Sequence, residues 1–247
     1  MTKTTPTHAP PPPSAAGPRD PAALPHITFD GLPQREKKQA RTRLGLLDAL
    51  VSRLDARPLE DVSIKELADE VGVSQGTVFN HFANKGELLT YFIVLWGIEV
   101  GLLGHRVVAS HSSVHAALGA LLSSTAAQVS AHPGVMLEII AHQARMPEKP
   151  ALPEISRGER LLRFGVQPGV LTQPAGGLEI VLPQLLNRAV ASGELPPHAD
   201  VSQLTLALAS VFFGVPLLLA RRQPEAIGPC YDAQLALLWA GARARPG

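Results

Sequence analysis

The sequence predicts an all-α protein. Two observations carry that expectation. Ala, Leu and Val supply most of an apolar content of 45%, while aromatic residues are only 4%, so runs of β-branched and aromatic residues suited to strands are scarce. Apolar residues instead recur at helical spacing behind polar caps, with Pro and Gly clusters between the periodic stretches. A length of 247 residues fits one large domain or two small ones. A single cysteine, Cys230, excludes an internal disulfide framework and fits a reducing compartment.

Taken in order, residues 1–32 are rich in Pro, Thr and Ala around "APPPPSAAGP" and read as a disordered tail, since they cannot bury enough surface to offset ordering entropy. They show neither the basic start nor the continuous apolar run of a secretory signal, and a cytoplasmic location is expected. The first helix is expected from Pro33 to Asp55, with Leu44, Leu47, Leu50, Val51 and Leu54 on its apolar face. Arg35, Lys37, Lys38, Arg41 and Arg43 cluster at its start, before an acidic stretch, so a basic surface lies beside an acidic one although the net charge is only +1. Pro58 stops the helix.

Residues 62–89, "VSIKELADEVGVSQGTVFNHFANKGELL", hold three helix starts. Ser63 and Glu66 form a capping box, and Gly72 suits the left-handed residue that ends a helix. Ser74 caps a second short helix over Gln75–His81, and Asn84 with Glu87 opens a third. Two short helices on a tight Gly-containing turn, stacked on a longer one, make a helix-turn-helix. Its shared core would be Ile64, Leu67, Ala68, Val71, Val73, Val78 and Phe82. Gln75, Thr77, Asn80 and His81 are left facing outward, hydrogen-bonding groups suited to base edges and phosphates, and Gly76 lets backbone approach DNA.

"LADEVGVSQGTVFNHFANKGELL" resembles the DNA-binding domain of the TetR family of bacterial transcriptional regulators. Ala68, Gly72, Val73, Ser74, Gly76, Thr77, Val78, Phe82, Lys85 and Leu88 match the family's pattern, and the resemblance covers roughly residues 35–90. It implies that Gln75, Thr77 and Asn80 face the groove, that His81 and Lys85 meet phosphates, and that Lys65 lies near the backbone; Ser74 can both cap and contact. Where the family usually carries a Tyr whose hydroxyl meets a phosphate, this chain has Phe79, which takes no polar role.

The third helix is expected to run on to about Val108. Further helices are expected at 114–131, 135–146, 177–192, 201–220 and 231–244, with a short one at 155–163, about nine in all. "RFGVQPGVLTQPAGG" reads as a long, mobile loop. The expected organisation is a tail (1–32), a DNA-binding head (33–90) and an effector-binding and dimerisation body (91–247). The resemblance implies a homodimer through 201–220 and 231–244, a near-palindromic double-stranded DNA site, and a small-molecule effector held among the middle helices. Candidates for that pocket are Trp96, Glu99, His105, Gln128, Met136, Glu138 and His142. The implied function is a repressor released from its operator by the effector, with a DNA-binding regulator or activator lacking any effector as the alternative.

No cofactor, metal or catalytic residue is assigned. P-loop, G-x-G-x-x-G and H-E-x-x-H motifs are missing, so an enzyme is not expected. Glu138/His142 and, if helical, His111/His115 sit four apart, but two ligands do not define a metal site. Residues 201–220 reach membrane-spanning length, yet Ser202, Gln203, Thr205, Ser210 and Pro216 favour a buried or interface helix.

Overall fold

The computed structural model describes residues 27–145 and 152–244. The tail expectation falls almost wholly on residues 1–26, outside the described residues, as does Met146 at the expected end of one helix. Ten α-helices and two short 3-10 turns make up the regular structure among the described residues, each helix overlapping one expected from the sequence, the short one at 155–163 included.

In α1 (Gln34–Leu54), Ala40, Leu44, Leu47, Leu50 and Leu54 are buried at helical spacing. α2 (Ile64–Val71) carries the expected Ser63/Glu66 capping box and ends on Gly72 at φ 71°. α3 (Gln75–His81) is capped by Ser74, whose hydroxyl accepts from the Thr77 N–H. Leu67, Ala68, Val78 and Phe82 are buried between these helices and α1, with Ile64, Val71 and Val73 packed at their edge.

α4 (Lys85–Ser110), capped by Asn84, runs out of this head into the rest of the molecule. α5 (Val114–Ala131) follows, and Glu194 also accepts from the backbone N–H groups of Val114 and His115 at its start. Then come α6 (Pro133–Arg145), α7 (Arg157–Phe164), α8 (Leu178–Ala191), α9 (Val201–Leu219) and α10 (Ile227–Ala244). α5, α8, α9 and α10 enclose one hydrophobic cluster around Leu118, Leu186, Phe212 and Tyr231. A second cluster joins the head to the first part of α4, α6 and α7, and Trp96 packs against both.

Two expectations are corrected. α10 begins four residues earlier than expected, because Pro229 falls in the first turn, where no backbone N–H needs a partner. The segment 163–177 is packed rather than loose. Val170 and Gln173 are buried, and Arg160 donates to the carbonyls of both (3.1 and 2.8 Å). Gly97, Gly101 and Gly104 along α4 admit this segment and α8, since a Cβ on any of them would press on Ala175, Gln173 or Val181.

α4 and α9 are long and apolar enough to cross a membrane by length and composition. Half of the α4 window is buried inside the fold, against 22% for α9.

Candidate nucleic-acid interface and effector cavity

α3 is held to the head by few side chains. Val78 is fully buried within it and Phe82 just after it, while Gln75, Gly76 and Asn80 are exposed. Thr77 is half-buried, its hydroxyl 2.9 Å from that of Ser74. The helix therefore presents amide side chains and a free backbone edge on a rigid seat, the arrangement that hydrogen-bonding to base edges requires. Lys65 is exposed on α2.

His81 is half-buried at the end of α3, and desolvation, helped by nearby Arg43, lowers its pKa. Its neutral form is thereby favoured, and it can offer a ring N–H. The Lys85 ammonium donates to the carbonyls of Glu60 and Val62, both at 2.7 Å, leaving its remaining N–H for a phosphate.

The basic cluster divides. Arg35, Lys38 and Arg41 are exposed, but Arg43 turns inward. Its guanidinium sits 2.9 Å from the fully buried carboxylate of Glu159 and over the rings of Tyr91 and Phe82, at 4.4 and 5.1 Å from their centroids. Arg43 is thus withdrawn from the surface on which the sequence placed it.

Two adjoining cavities lie beyond the head, both lined by Trp96 and Ile139. The larger, about 650 Å³, lies among α4, α6, α8 and α9 and is walled mainly by apolar side chains such as Ile93, Val100, Leu206 and Phe213. His142 joins its wall. Its Nε2 is 3.0 Å from the Thr90 hydroxyl, which itself donates to the Gly86 carbonyl, so the ring nitrogen must be the donor. The smaller cavity, about 330 Å³, is lined by Trp96, Glu99, Gln128 and Met136 together with Asp48 and Val51 of α1. A polar chain crosses its edge: the Trp96 indole N–H donates to Gln128 (3.2 Å), whose amide donates to Glu99 (3.0 Å).

Five of the seven candidates thus line one cavity or the other. His105 does not, but lines a separate space of about 170 Å³ beside Arg188, and Glu138 lines none of the three. Neither His pair forms a metal site: His142 is committed to Thr90, and His111 precedes α5 rather than sharing a helix with His115. Among the described residues no group of three or more His, Cys, Asp or Glu is placed to hold a metal.

Sequence reasoning did not find the joints between head and body. Asp55, at the end of α1, accepts from the Gly134 N–H (3.0 Å) and from His132 (2.8 Å), and a Cβ at Gly134 would collide with the Leu54 carbonyl. α7 is pinned along α1 by Arg157–Glu36 and Arg163–Asp48, each at 3.0 Å, besides Arg43–Glu159. Arg157 holds the Glu36 carboxyl below its ordinary pKa. These pairs join residues 121 and 115 positions apart, and only the S-x-x-E capping box of Ser156 and Glu159 was legible locally.

The sequence model of the family described as "Bacterial regulatory proteins, tetR family" matches residues 46–92. A search of the curated proteins finds no match. Solved structures share the fold. A protein of unknown function from Rhodococcus sp. RHA1 is 20% identical at a TM-score of 0.58, over 82% of this chain and 95% of its own. The transcriptional regulator FadR from Bacillus subtilis, in complex with stearoyl-CoA, is 15% identical at 0.56 over 80% and 98%. FadR from Thermus thermophilus, a TetR family transcriptional repressor in complex with lauroyl-CoA, is 18% identical at 0.56 over 83% and 97%.

Proposed function

We propose, for a chain whose residues 46–92 are those of a tetR-family DNA-binding domain, that it is a homodimeric, cytoplasmic repressor without enzymatic turnover, released from its operator by a small apolar effector. Residues 33–90 serve as the DNA-binding head and residues 91–247 as the effector-binding and dimerisation body. The observation that carries this reading is α3, whose exposed face offers Gln75, Gly76 and Asn80 while Val78 anchors the other.

Gln75, Thr77 and Asn80 read the major groove, Gly76 lets backbone approach it, and Ser74, His81, Lys85 and Lys65 meet phosphates. Two such helices, about one DNA turn apart, require a two-fold dimer and a near-palindromic site. α9 and α10 supply the dimer face. Leu206, Leu217, Leu218 and Leu237 are each more than half exposed, an apolar surface an isolated soluble chain rarely leaves bare.

The effector occupies the larger cavity. Its volume lies within the roughly 300–1,000 Å³ usual for ligand sites, and its apolar walls suit an acyl chain. The acyl-CoA complexes of the similar FadR proteins support a ligand of that class. Such a ligand acts only through its unequal affinity for the DNA-competent and DNA-incompetent dimers.

The test pairs operator selection from genomic fragments with Gln75→Ala and Asn80→Ala. Each base-reading contact contributes about 1–3 kcal/mol, so the double variant should bind its selected operator at least tenfold more weakly while its nonspecific binding stays level. Unchanged operator affinity in the double variant counts directly against α3 as the reading helix.

A further inference from the structure

We propose that α7 is the element through which occupancy of the larger cavity reaches the recognition helix, with Arg43 and Glu159 as the positioning pair at the joint. The inference rests on the effector reading above for its signal, but the linkage itself stands on contacts within this chain.

At one end α7 grips the head. Glu159 is completely buried, so its carboxylate needs a full set of donors. Oε1 receives Arg43 at 2.9 Å and the Tyr91 hydroxyl at 2.6 Å, and Oε2 receives the Ser156 N–H at 2.7 Å. One carboxylate thus ties the start of α7 to α1 and α4. The guanidinium it holds lies against Phe82, the buried residue immediately after α3. Arg157–Glu36 and Arg163–Asp48 clamp the two ends of α7 along α1 at the surface.

The segments that flank α7, rather than α7 itself, reach the cavity. Leu152 before it and Ala175 and Gly177 after it all line the larger space. Arg160 of α7 holds the following segment through the carbonyls of Val170 and Gln173. A ligand that pushes Leu152 or Ala175 outward therefore pulls on α7 from both sides. A dry ion pair does not stretch gradually, because separating it leaves each charge uncompensated in a low-dielectric interior. The pair is either seated, with Phe82 and α3 supported from below, or broken, which makes it a two-position element able to carry coupling.

The experiment uses the full chain. Arg157→Gln with Arg163→Gln removes the two partly exposed clamps and leaves the core intact. Hydrogen exchange, operator affinity, and the ratio of affinities without and with lauroyl-CoA are measured. Loss of protection over residues 75–82 together with residues 157–164, operator binding weaker by about threefold or more, and a reduced lauroyl-CoA ratio are expected. Protection over 75–82 equal to wild type while 157–164 loosens overturns the proposal.

Asp55→Asn, which unties α6 from the far end of α1, is the comparison and should spare residues 157–164. Glu159→Gln alone strands the Arg43 charge and can fail to fold, so it is paired with Arg43→Met, where the amide still accepts from Tyr91. The pair should regain the melting temperature lost by Glu159→Gln without regaining the lauroyl-CoA ratio. Recovery of both makes the ion pair purely structural and overturns its positioning role. If lauroyl-CoA leaves wild-type affinity unchanged, the acyl-CoA reading fails, and the exchange comparison still decides the linkage.

Discussion

α3 and α9 are the two elements that leave the most unfinished surface, and they leave opposite kinds. α3 has seven residues, buries Val78, and turns amides and the half-exposed ring of Phe79 outward. α9 has nineteen, is apolar nearly throughout, and leaves Leu206, Leu217 and Leu218 uncovered. A hydrogen-bonding surface in water loses little while it waits for a partner, because water satisfies its groups. A leucine face loses the stabilisation of burial, about 25 cal/mol per Å², for as long as it waits. The difference teaches that α3 can serve as a transient contact whereas α9 suits a lasting one, which fits the proposed roles of DNA for the first and a second copy of the chain for the second.

The largest effect should come from breaking the permanent contact. Leu217→Glu with Leu218→Glu places charges on side chains that are 57% and 71% exposed within the chain, so the protomer should fold normally, as circular dichroism can check. In a dimer both carboxylates would be buried against the partner. Sedimentation should show monomers, and operator affinity should fall by about 10²-fold or more, the loss expected when two linked half-sites become one. A monomer that keeps full operator affinity would end the case for paired heads. Partition of the wild-type chain into membranes would give α9 a lipid partner instead.

The two elements were also unequally legible. α3 could be bounded to the residue because each signal is local: Ser74 caps it, Gly72 ends its predecessor, and Asn84 starts its successor. α9 is bounded locally too, with Asp200 accepting from the Gln203 N–H, but a partner for it came only from the family resemblance and not from its residues. Arg43 shows the limit most plainly. Its spacing to the buried Ala40, Leu46, Leu47 and Leu50 puts it on the apolar face of α1 while Arg35, Lys38 and Arg41 stay at the surface, but no partner for a cation there is visible in the sequence. Its inward turn is decided by Glu159 and by the rings of Phe82 and Tyr91, which only the folded chain brings together. The cavities were half legible for a similar reason. Trp96 lines both cavities and Glu99 the smaller one, whereas nothing in the sequence of 163–177 shows that Ala175 and Gly177 wall the larger one or that Gln173 packs against Gly101.

Acid should separate the two elements next. Desolvation, and then the Arg43 charge, hold the folded-state pKa of His81 below its ordinary 6.5. The unfolded chain therefore binds more protons than the folded one in that range. Stability is full above pH 6.5 and falls as the pH drops from there through the lowered folded value. His142 adds a contribution of the same sign, from desolvation and then Arg145. Thermal midpoints of the DNA-free protein should decline from pH 7.5 to 5.5, and His81→Gln should make that decline shallower. Neither α9 nor α10 contains a histidine, so the dimer dissociation constant should change little over the same range. Equal slopes for His81→Gln and wild type would remove His81 from the explanation.

The smallest effect expected is a gain. Phe79 is 52% exposed in the second half of α3, at the position where the family pattern that this stretch resembles usually has a Tyr, so Phe79→Tyr should fold without penalty. If its ring faces the DNA backbone, the added hydroxyl supplies one hydrogen bond to a phosphate. Net of desolvation, such a bond contributes about 0.5–1.5 kcal/mol, a two- to tenfold tightening. Because the hydroxyl is neutral it displaces no counterion, and the slope of log affinity against log salt should stay as in wild type. That pairing of tighter binding with an unchanged slope distinguishes a polar phosphate contact from any general gain in positive potential. Weaker binding by Phe79→Tyr would carry its own lesson: the bare ring would then be an apolar contact, against a sugar or a thymine methyl, and α3 would share with α9 some of the chemistry that otherwise sets them apart.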